Sequence, residues 1–297
     1  MATGFAPCDG RGTAQGRCWV MNSIASRVNR QYRDCANWRH PPPQVAGGGT
    51  KGRRLRVFPG EFADLLTVKG RRILDGKGDA PALTAERPFV ALTGLIDTDK
   101  ARVAWTLLDR ALSRHVVALS QPIPPESITG QTRNYQERLR KTARMRTAYL
   151  ERRGSKAWRA AERIGLIAMT GSDSYRRFVE VLAGRPLASE FGRQVLCYGP
   201  GDYAGPHTDH HPEDPRAAGG YVDCHLTFAG PGVAHQYLVY ARDGHFSEEA
   251  DVGTAGGVTV YRLPFWHYTT PLIAKPGGAA TARRWVVLGT FLFVDPG

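Results

Sequence analysis

The C-terminal part of the chain consists of short runs of β-branched and aromatic residues, and turns rich in Gly, Pro and Asp separate these runs. Short strands at such spacing are typical of an antiparallel sandwich or barrel, because each run suits one strand and each turn can reverse the chain. The pattern begins after Pro186, so we predict an α+β protein in which residues 186–297 form the β domain. The runs are RQVLCYG, YVDCHLTFAG, HQYLVYAR, GGVTVYRL and RRWVVLGTFLFV.

Residues 51–185 are predicted to be a helical and mixed part that supports this β domain. The run DTDKARVAWTLLDRALSRHVVAL predicts a helix capped by Asp97 or Thr98, and DSYRRFVEVLAG predicts a second helix that Gly184 ends. The basic run RNYQERLRKTARMRTAYLERR favours helix but offers little apolar face. We expect a solvated helix or a mobile lid over the basic stretch 131–163, with a surface for an acidic partner as the alternative.

Residues 1–50 are rich in Gly, Arg and Ala and end in HPPPQVAGGG. This composition predicts a disordered or flexible N-terminal segment, because it has few apolar groups to bury. Two further interpretations stay open. The segment can have a targeting role, or the chain can truly begin at Met21.

The net charge of +13 does not indicate a nucleic-acid site once it is mapped along the chain. Residues 1–60 carry ten Lys or Arg against two acids, whereas residues 187–297 carry seven against eleven. A basic groove beside the histidine-rich part of the chain is therefore not expected. No apolar run suits a membrane span, and the five cysteines include no CxxC pair, so we expect a cytoplasmic protein without a disulfide framework or a thiolate zinc site.

The stretch YAGPHTDHHPEDP contains a His-x-Asp pair, His207 and Asp209, whose side chains would point to one face of a strand. A third ligand must come from another strand, and His267 in GGVTVYRLPFWHYTTPL is the candidate. Two histidines and one carboxylate form a facial triad, which suits non-heme Fe(II) and oxygen chemistry. Zinc in the same ligands, as in a hydrolase, is the alternative. His210 and His211 are expected to face solvent in a turn.

The run ARRWVVLGTF offers a cation at the start of the last strand. An arginine at this place could hold a carboxylate through two parallel hydrogen bonds. Arg283 and Arg284 must point to opposite faces of the strand, and the alternation alone does not say which of them points inward.

Residues 172–297 resemble the Fe(II)/2-oxoglutarate-dependent dioxygenase superfamily, and within it the prolyl-4-hydroxylase-like group. The resemblance lies in the order of VLCYGPGDYAGPHTDHHPEDP, GGYVDCHLTFAG, GVTVYRLPFWHYTTPL and RRWVVLGTFLF. It implies a double-stranded β-helix, a jelly-roll or cupin-like core with packed N-terminal helices. It also implies His207, Asp209 and His267 as iron ligands. The residues that it assigns to the co-substrate are Arg284 in preference to Arg283, Tyr198, Thr227 and His225.

His267 and Arg284 are 17 residues apart, which is longer than is usual for the family, and AKPGGAAT is the segment that we interpret as an insertion. The implied cofactors are Fe(II), 2-oxoglutarate as co-substrate, O2, and ascorbate as a reductant. The implied reaction hydroxylates an unactivated C–H bond of an amino-acid-like, peptide or biosynthetic substrate, and releases succinate and CO2. Asp209 favours hydroxylation over halogenation, because a carboxylate in that place leaves no coordination position for chloride.

Two alternatives to this function remain at the level of sequence. The first is a nucleic-acid demethylase on the same fold, whose family has a second arginine on the last strand. The corresponding residues here read WVVLGTF, without an arginine. The second is a non-catalytic jelly-roll binding or scaffold module, which would bind no iron and turn over no 2-oxoglutarate. The sequence does not predict the oligomeric state.

Overall fold

The computed structural model describes residues 57–80, 83–84, 87–122, 142–150, 152–209, 220–242 and 245–294. The predictions for residues 1–50, for the first part of the basic stretch and for His210 and His211 lie outside these ranges. Within them, every helix is too short or too polar to cross a bilayer.

The helices lie in the N-terminal half of the described chain and pack against one face of a large sheet. The helix α2 begins at Thr98 because the Asp97 side chain accepts hydrogen bonds from the backbone N–H groups of Asp99 and Lys100. The helix α5 is capped by Ser172 and ends at Gly184, which adopts a left-handed conformation. Both predicted helices are confirmed, and the bounds are α1 Val68–Leu74, α2 Thr98–Leu112, α3 Lys156–Arg163, α4 Leu166–Thr170 and α5 Asp173–Ala183.

Along the chain, the first three strands precede the last three α-helices. Short 3-10 helices occur at Phe62–Leu65 and Ala279–Thr281. The strands are β1 Phe89–Leu92, β2 Val117–Pro122, β3 Thr142–Tyr149, β4 Leu187–Tyr198, β5 Tyr203–His207, β6 Tyr221–Ala229, β7 Val233–His235, β8 Tyr237–Arg242, β9 His245–Asp251, β10 Val258–Leu263, β11 His267–Thr269, β12 Ile273–Ala274 and β13 Arg284–Phe293.

The part Thr142–Tyr149 of the basic run is a strand, so the prediction of a helix was wrong for these residues. Met145 and Thr147 are buried whereas Arg144 is exposed, which is the two-residue period of a strand rather than the 3.6-residue period of a helix. The run is rich in residues with high helix propensity, and for this reason its composition predicted a helix instead of a strand. The tail of the first predicted helix is also a strand, since β2 begins at Val117 and pairs with β3.

The strand order is that of a double-stranded β-helix, which confirms the predicted fold class. One set of four neighbouring strands is β10-β6-β13-β4, and another is β5-β11-β8-β9. Apart from the hairpin β8–β9 and the separate pair β7 and β12, the chain from β4 onward passes back and forth between the two sets. The pairings within both sets are antiparallel. The strand β3 joins the sets by pairing with both β4 and β5.

The two faces of β6 have different environments. Val222, Cys224, Leu226 and Phe228 belong to the apolar core that includes the buried residues of α2 and α5. The residues between them therefore face the interior of the β-helix. Of the cysteines that the structure describes, Cys197 and Cys224 are free and buried, and burial raises the pKa of each thiol to about 12.

The long connection before β13 is built from regular elements. It contains β12, which pairs with β7, and the 3-10 helix Ala279–Thr281. The backbone of Gly232 approaches this connection so closely that an added Cβ would lie 2.0 Å from the Gly278 carbonyl oxygen. The inserted residues thus pack against the segment around β7 before the chain enters the last strand.

The cap of α2 gives a test of this part of the fold. Asp97→Ala removes the acceptor for two backbone N–H groups, and we expect it to lower the free energy of unfolding by about 1 kcal/mol in urea denaturation. Asp99→Ala is the control, because its side chain is 88% exposed and pairs only with the exposed Arg102. Equal destabilisation by both substitutions would contradict the assigned cap.

Candidate metal centre and carboxylate site

Two histidines face each other at the point where β5 and β11 pair. His207 is the last residue of β5 and His267 is the first residue of β11, and their Cα atoms are direct partners in the register. Their ring centroids are 4.4 Å apart. Because strand β11 also pairs with β8, the His267 ring lies inside the structure with only 4% of its side chain exposed.

Asp209 completes the cluster from a turn rather than from a strand. We expected His207 and Asp209 to alternate along one strand, but β5 ends at His207. Asp209 has a φ of 52°, a left-handed conformation that Asp adopts more readily than most residues. This turn brings one carboxylate oxygen within 3.3 Å of His207 Nε2 and the other within 3.3 Å of His267 Nε2.

The two imidazoles are oriented by the backbone. His207 Nδ1 donates to the carbonyl oxygen of Gly205 at 2.6 Å, and His267 Nδ1 donates to that of Phe265 at 3.0 Å. A carbonyl oxygen can only accept, so in the neutral ring the proton is on Nδ1 and the lone pair is on Nε2. Both lone pairs therefore face Asp209. Metal-binding histidines are commonly held in this way.

The charges of the cluster suit a cation. Burial raises the pKa of the Asp209 carboxyl, but His207 and His267 lower it by more, so the pKa lies well below its usual value. Burial and then the neighbouring His207 lower the pKa of His267. Asp209 is thus ionised and His267 neutral at neutral pH, which are the forms that bind metal. Burial lowers the pKa of His207, but Asp209 raises it by more, so a metal ion competes with a proton at His207. The side of the cluster open to solvent is at Asp209, whose side chain is 40% exposed.

The ligand atoms of His207, Asp209 and His267 all lie within 4.8 Å of one another. This donor set of two imidazoles and one carboxylate fits a divalent first-row ion such as Fe(II), and it leaves coordination positions free. The structure thus brings the three predicted ligands together from β5, the turn after it and β11.

The start of β13 shows which of the two neighbouring arginines points into the interior. Arg284 points inward and is 3% exposed, whereas Arg283 points to the helices and forms an ion pair with Asp109 of α2 at 2.6 Å. Arg284 Nη1 donates to Gln236 Oε1 at 3.0 Å, and its Nη2 donates to Thr227 Oγ1 at 3.4 Å. Its Nε has no hydrogen-bond partner among the described residues.

Arg284 carries a buried positive charge without a carboxylate within ion-pair distance in the described part of the chain. Burial lowers its pKa, but a guanidinium remains protonated in proteins. A buried charge that is not paired is costly. The site is therefore suited to a ligand that supplies a carboxylate.

Tyr198 lies between the arginine and the strand that carries His267. The Arg284 guanidinium lies over the Tyr198 ring at 5.3 Å from its centroid, and the Thr269 side chain is near the Tyr198 hydroxyl. Thr269 is on β11, two residues after His267, and therefore on the same face of the strand. Burial raises the pKa of Tyr198 to about 12, so its hydroxyl keeps its proton at neutral pH.

Gln236 is a site residue that sequence reasoning missed. It is fully buried, and its amide nitrogen donates to the carbonyl oxygens of Asp202 and Thr270. These two bonds turn its Oε1 toward Arg284. A glutamine between two strands carries no local pattern of this kind, so the sequence offered no signal for it.

His225 lies on the inward face of β6, two residues from Thr227. Its ring packs against Tyr261 at 4.4 Å, and the hydrogen bonds of Arg284 go to Gln236 and Thr227. A role of His225 toward a co-substrate stays a prediction. His235 lies outside the metal cluster and packs against Tyr237 at 5.3 Å between ring centroids.

No family model matches this sequence, and no curated protein matches it either. Among solved structures, the chain is similar to a Pseudomonas putida prolyl-4-hydroxylase, with 15% identity over 76% of this chain and 100% of that one and a TM-score of 0.44. It is also similar to the non-heme alpha-ketoglutarate-dependent epimerase SnoN from nogalamycin biosynthesis, with 16% identity over 69% and 78% of the chains and a TM-score of 0.43.

A third similar structure is an oxidoreductase of the 2OG-Fe(II) oxygenase family from Burkholderia pseudomallei. The identity is 12% over 80% of this chain and 92% of that one, and the TM-score is 0.41. With TM-scores below 0.5, the activities of these proteins are not transferred to this chain. Its chemistry rests on the geometry of the site.

Metal binding gives a direct test of the cluster. We expect the purified protein to bind one Co(II) per chain in isothermal titration calorimetry, and His267→Ala to weaken that binding by at least about tenfold because a ligand is lost. His235→Ala is the matched control, since this histidine lies outside the cluster. Unchanged Co(II) affinity in His267→Ala would contradict the assignment.

Proposed function

We propose that this protein is a non-heme Fe(II)- and 2-oxoglutarate-dependent dioxygenase of the prolyl-4-hydroxylase-like group. The observation that carries the proposal is one interior with two complementary parts. The first is the His207, Asp209 and His267 cluster, and the second is the buried guanidinium of Arg284, which lies over the Tyr198 ring. A site that binds only a metal ion does not require a buried guanidinium, whereas a site for a metal-binding diacid requires both the metal ligands and a cation for the second carboxylate.

The three ligands would hold the iron through His207 Nε2, His267 Nε2 and the Asp209 carboxylate. Bound Fe(II), together with 2-oxoglutarate and O2, supplies an oxidant for a C–H bond as the oxo acid becomes succinate and CO2. Ascorbate would serve as the external reductant. The protein positions the donors before the metal arrives, because the Gly205 and Phe265 carbonyl oxygens fix both rings.

The opposite end of the co-substrate would lie at Arg284. A guanidinium binds a carboxylate through two charge-assisted hydrogen bonds, and the low dielectric of the interior strengthens them. Gln236 and Thr227 hold the planar group in place, and Tyr198 covers one face of it. This arrangement supports the choice of a diacid over a monoacid.

The reaction that we favour is hydroxylation of an unactivated C–H bond in an amino-acid-like, peptide or biosynthetic substrate. Asp209 supports hydroxylation over halogenation, since its carboxylate takes the position that a halide would need. The last strand, β13, carries no arginine after Arg284, and this disfavours a nucleic-acid demethylase.

Turnover of the co-substrate tests the proposed class without knowledge of the substrate. With Fe(II), 2-oxoglutarate, O2 and ascorbate, we expect the wild-type protein to form succinate slowly in the absence of substrate. His207→Ala and Asp209→Ala each remove a ligand and should reduce succinate to the level of the protein-free control. Succinate can be measured by mass spectrometry.

His235→Ala should form succinate like the wild type, since it keeps the same fold and the same number of cluster ligands. The proposal fails if all four proteins form equal amounts, because the iron chemistry would then come from free metal. It also fails if none of them consumes 2-oxoglutarate although Co(II) binds to the wild type.

The neighbouring arginines provide a matched pair for the co-substrate site. Arg284→Ala removes the carboxylate anchor, and we expect the KM for 2-oxoglutarate to rise by about tenfold or more. Arg283→Ala removes only the ion pair with Asp109 and should leave that KM nearly unchanged while lowering stability. A larger rise of KM in Arg283→Ala than in Arg284→Ala would contradict the assignment of the anchor to Arg284.

A further inference from the structure

The inward face of β6 carries a row of polar residues, of which the site described above uses only one. Asp223, His225 and Thr227 follow each other at two-residue spacing and alternate with residues of the helix-side core. Thr227 contacts Arg284. Asp223 and His225 lie further along the strand, away from the arginine, and neither donates to nor accepts from it in the described structure.

Asp223 is a buried carboxylate with unused hydrogen-bonding capacity. It is 6% exposed, and its Oδ1 has no hydrogen-bond partner among the described residues. Its Oδ2 lies 3.9 Å from His225 Nε2, which is too far for a hydrogen bond, and that nitrogen also lacks a partner there. Buried polar groups are normally satisfied, so two adjacent unsatisfied atoms indicate a missing ligand.

These two residues border the metal cluster. Tyr261 is the cross-strand partner of Asp223 on β10, and its ring centroid lies 4.4 Å from that of His225. The same ring lies 5.5 Å from His267, so a single aromatic side chain separates the Asp223 region from a proposed metal ligand. Phe265 stacks on His267 and packs against Tyr261, which extends the aromatic wall.

The negative charge of Asp223 indicates that a missing ligand at this place would be a cation. The ferrous ion and Arg284 would together balance Asp209 and a doubly charged co-substrate. The Asp223 carboxylate is then a surplus negative charge in the interior, and the described ion pairs give it no Lys or Arg partner. The electron-rich face of the adjacent Tyr261 ring also attracts cations.

We propose that Asp223, with His225 and the Tyr261 ring, binds a protonated nitrogen of the substrate, either an amine or a guanidinium. The substrate role rests on the proposed dioxygenase function, whereas the preference for a cation rests on these three residues. The nitrogen would donate to Asp223 Oδ1 and lie beside the Tyr261 ring. This contact would orient the substrate over the metal cluster and would select cationic substrates over neutral ones.

The test is binding to the protein loaded with Zn(II) and 2-oxoglutarate, in which no turnover occurs. Two pairs of probes match a cation with a neutral molecule of the same shape: 2-phenylethylamine with 2-phenylethanol, and butylguanidine with butylurea. In calorimetric titrations we expect the cation of at least one pair to bind about tenfold or more tightly than its neutral match. In Asp223→Asn this preference should fall below about twofold.

Thr290→Val is the matched control for Asp223→Asn. Thr290 is the partner of Asp223 on β13, is also buried and carries no charge, so its substitution should leave the preference intact. The ligand-free Asp223→Asn protein should also be at least as stable as the wild type in thermal unfolding, because a buried carboxylate without full hydrogen bonding is removed. A purely structural aspartate would instead give a less stable variant.

Equal binding of cation and neutral match in the wild type for both pairs would overturn the proposal. A preference that survives in Asp223→Asn would also overturn it, as would a loss of stability in this variant without a change of preference. Succinate formation separates the two proposals. If the wild type prefers cations but forms no succinate, the cation site is supported and the dioxygenase function is contradicted. If it forms succinate without preferring cations, the dioxygenase function is supported and the cation site is contradicted.

Discussion

The pairing of β5 with β11 is the constraint on which the site depends. It sets the Cα atoms of His207 and His267 directly opposite each other, although 60 residues separate them in the chain. Side chains alternate along a strand, so a slip of one residue in either strand would turn one ring to the other face. The Gly205 and Phe265 carbonyl oxygens then fix the rings, and the left-handed turn at Asp209 brings the carboxylate between them.

The two faces of the sheet formed by β6 and β13 explain how a polar interior coexists with a stable core. Leu226, Phe228, Trp285 and Val287 face the helices and are fully buried in the apolar core. The alternate positions face inward and carry Asp223, Thr227 and Arg284. Arg283 on the outer face is held by Asp109, whose carboxylate also accepts from Trp285 Nε1 at 3.3 Å. The helices therefore secure the start of β13 and, with it, the direction of Arg284.

The interior contains several polar groups that the protein alone does not satisfy. Arg284 Nε, Asp223 Oδ1 and His225 Nε2 are buried without hydrogen-bond partners among the described residues. Such groups reduce stability, and they persist at places where a ligand completes them. The guanidinium and the Asp223 carboxylate have opposite charges and lie at different positions along the interior. We infer that they receive two different molecules, an acidic co-substrate and a cationic substrate.

Much of this architecture could be predicted from the sequence, because its signals are local. The strands β4, β6, β8, β10 and β13 follow runs of β-branched residues bounded by turns, and α5 has its cap, apolar stripe and terminal Gly184 in one short segment. The His-x-Asp pair, the distal histidine and the arginine before Trp285 were also visible as residue types in a fixed order.

The rest depended on contacts that no local pattern encodes. The strand β3 has the composition of a helix, and only its pairing with β4 and β5 makes it extended. The turn at Asp209, the contact of Gln236 with Arg284 and the choice between Arg283 and Arg284 each follow from neighbours far along the chain. Asp223 gave no signal either, because an aspartate in a strand becomes informative only when its environment shows that it is buried without a partner.

The most direct measurement of the central claim is X-ray absorption at the iron edge of the anaerobic Fe(II) protein. We expect two imidazole ligands with iron–nitrogen distances of about 2.0–2.2 Å and oxygen atoms at the remaining positions. The spectrum of His267→Ala should show one imidazole fewer. A sulfur ligand, or a spectrum that is the same in the wild type and in His267→Ala, would contradict the assignment of the metal to His207, Asp209 and His267.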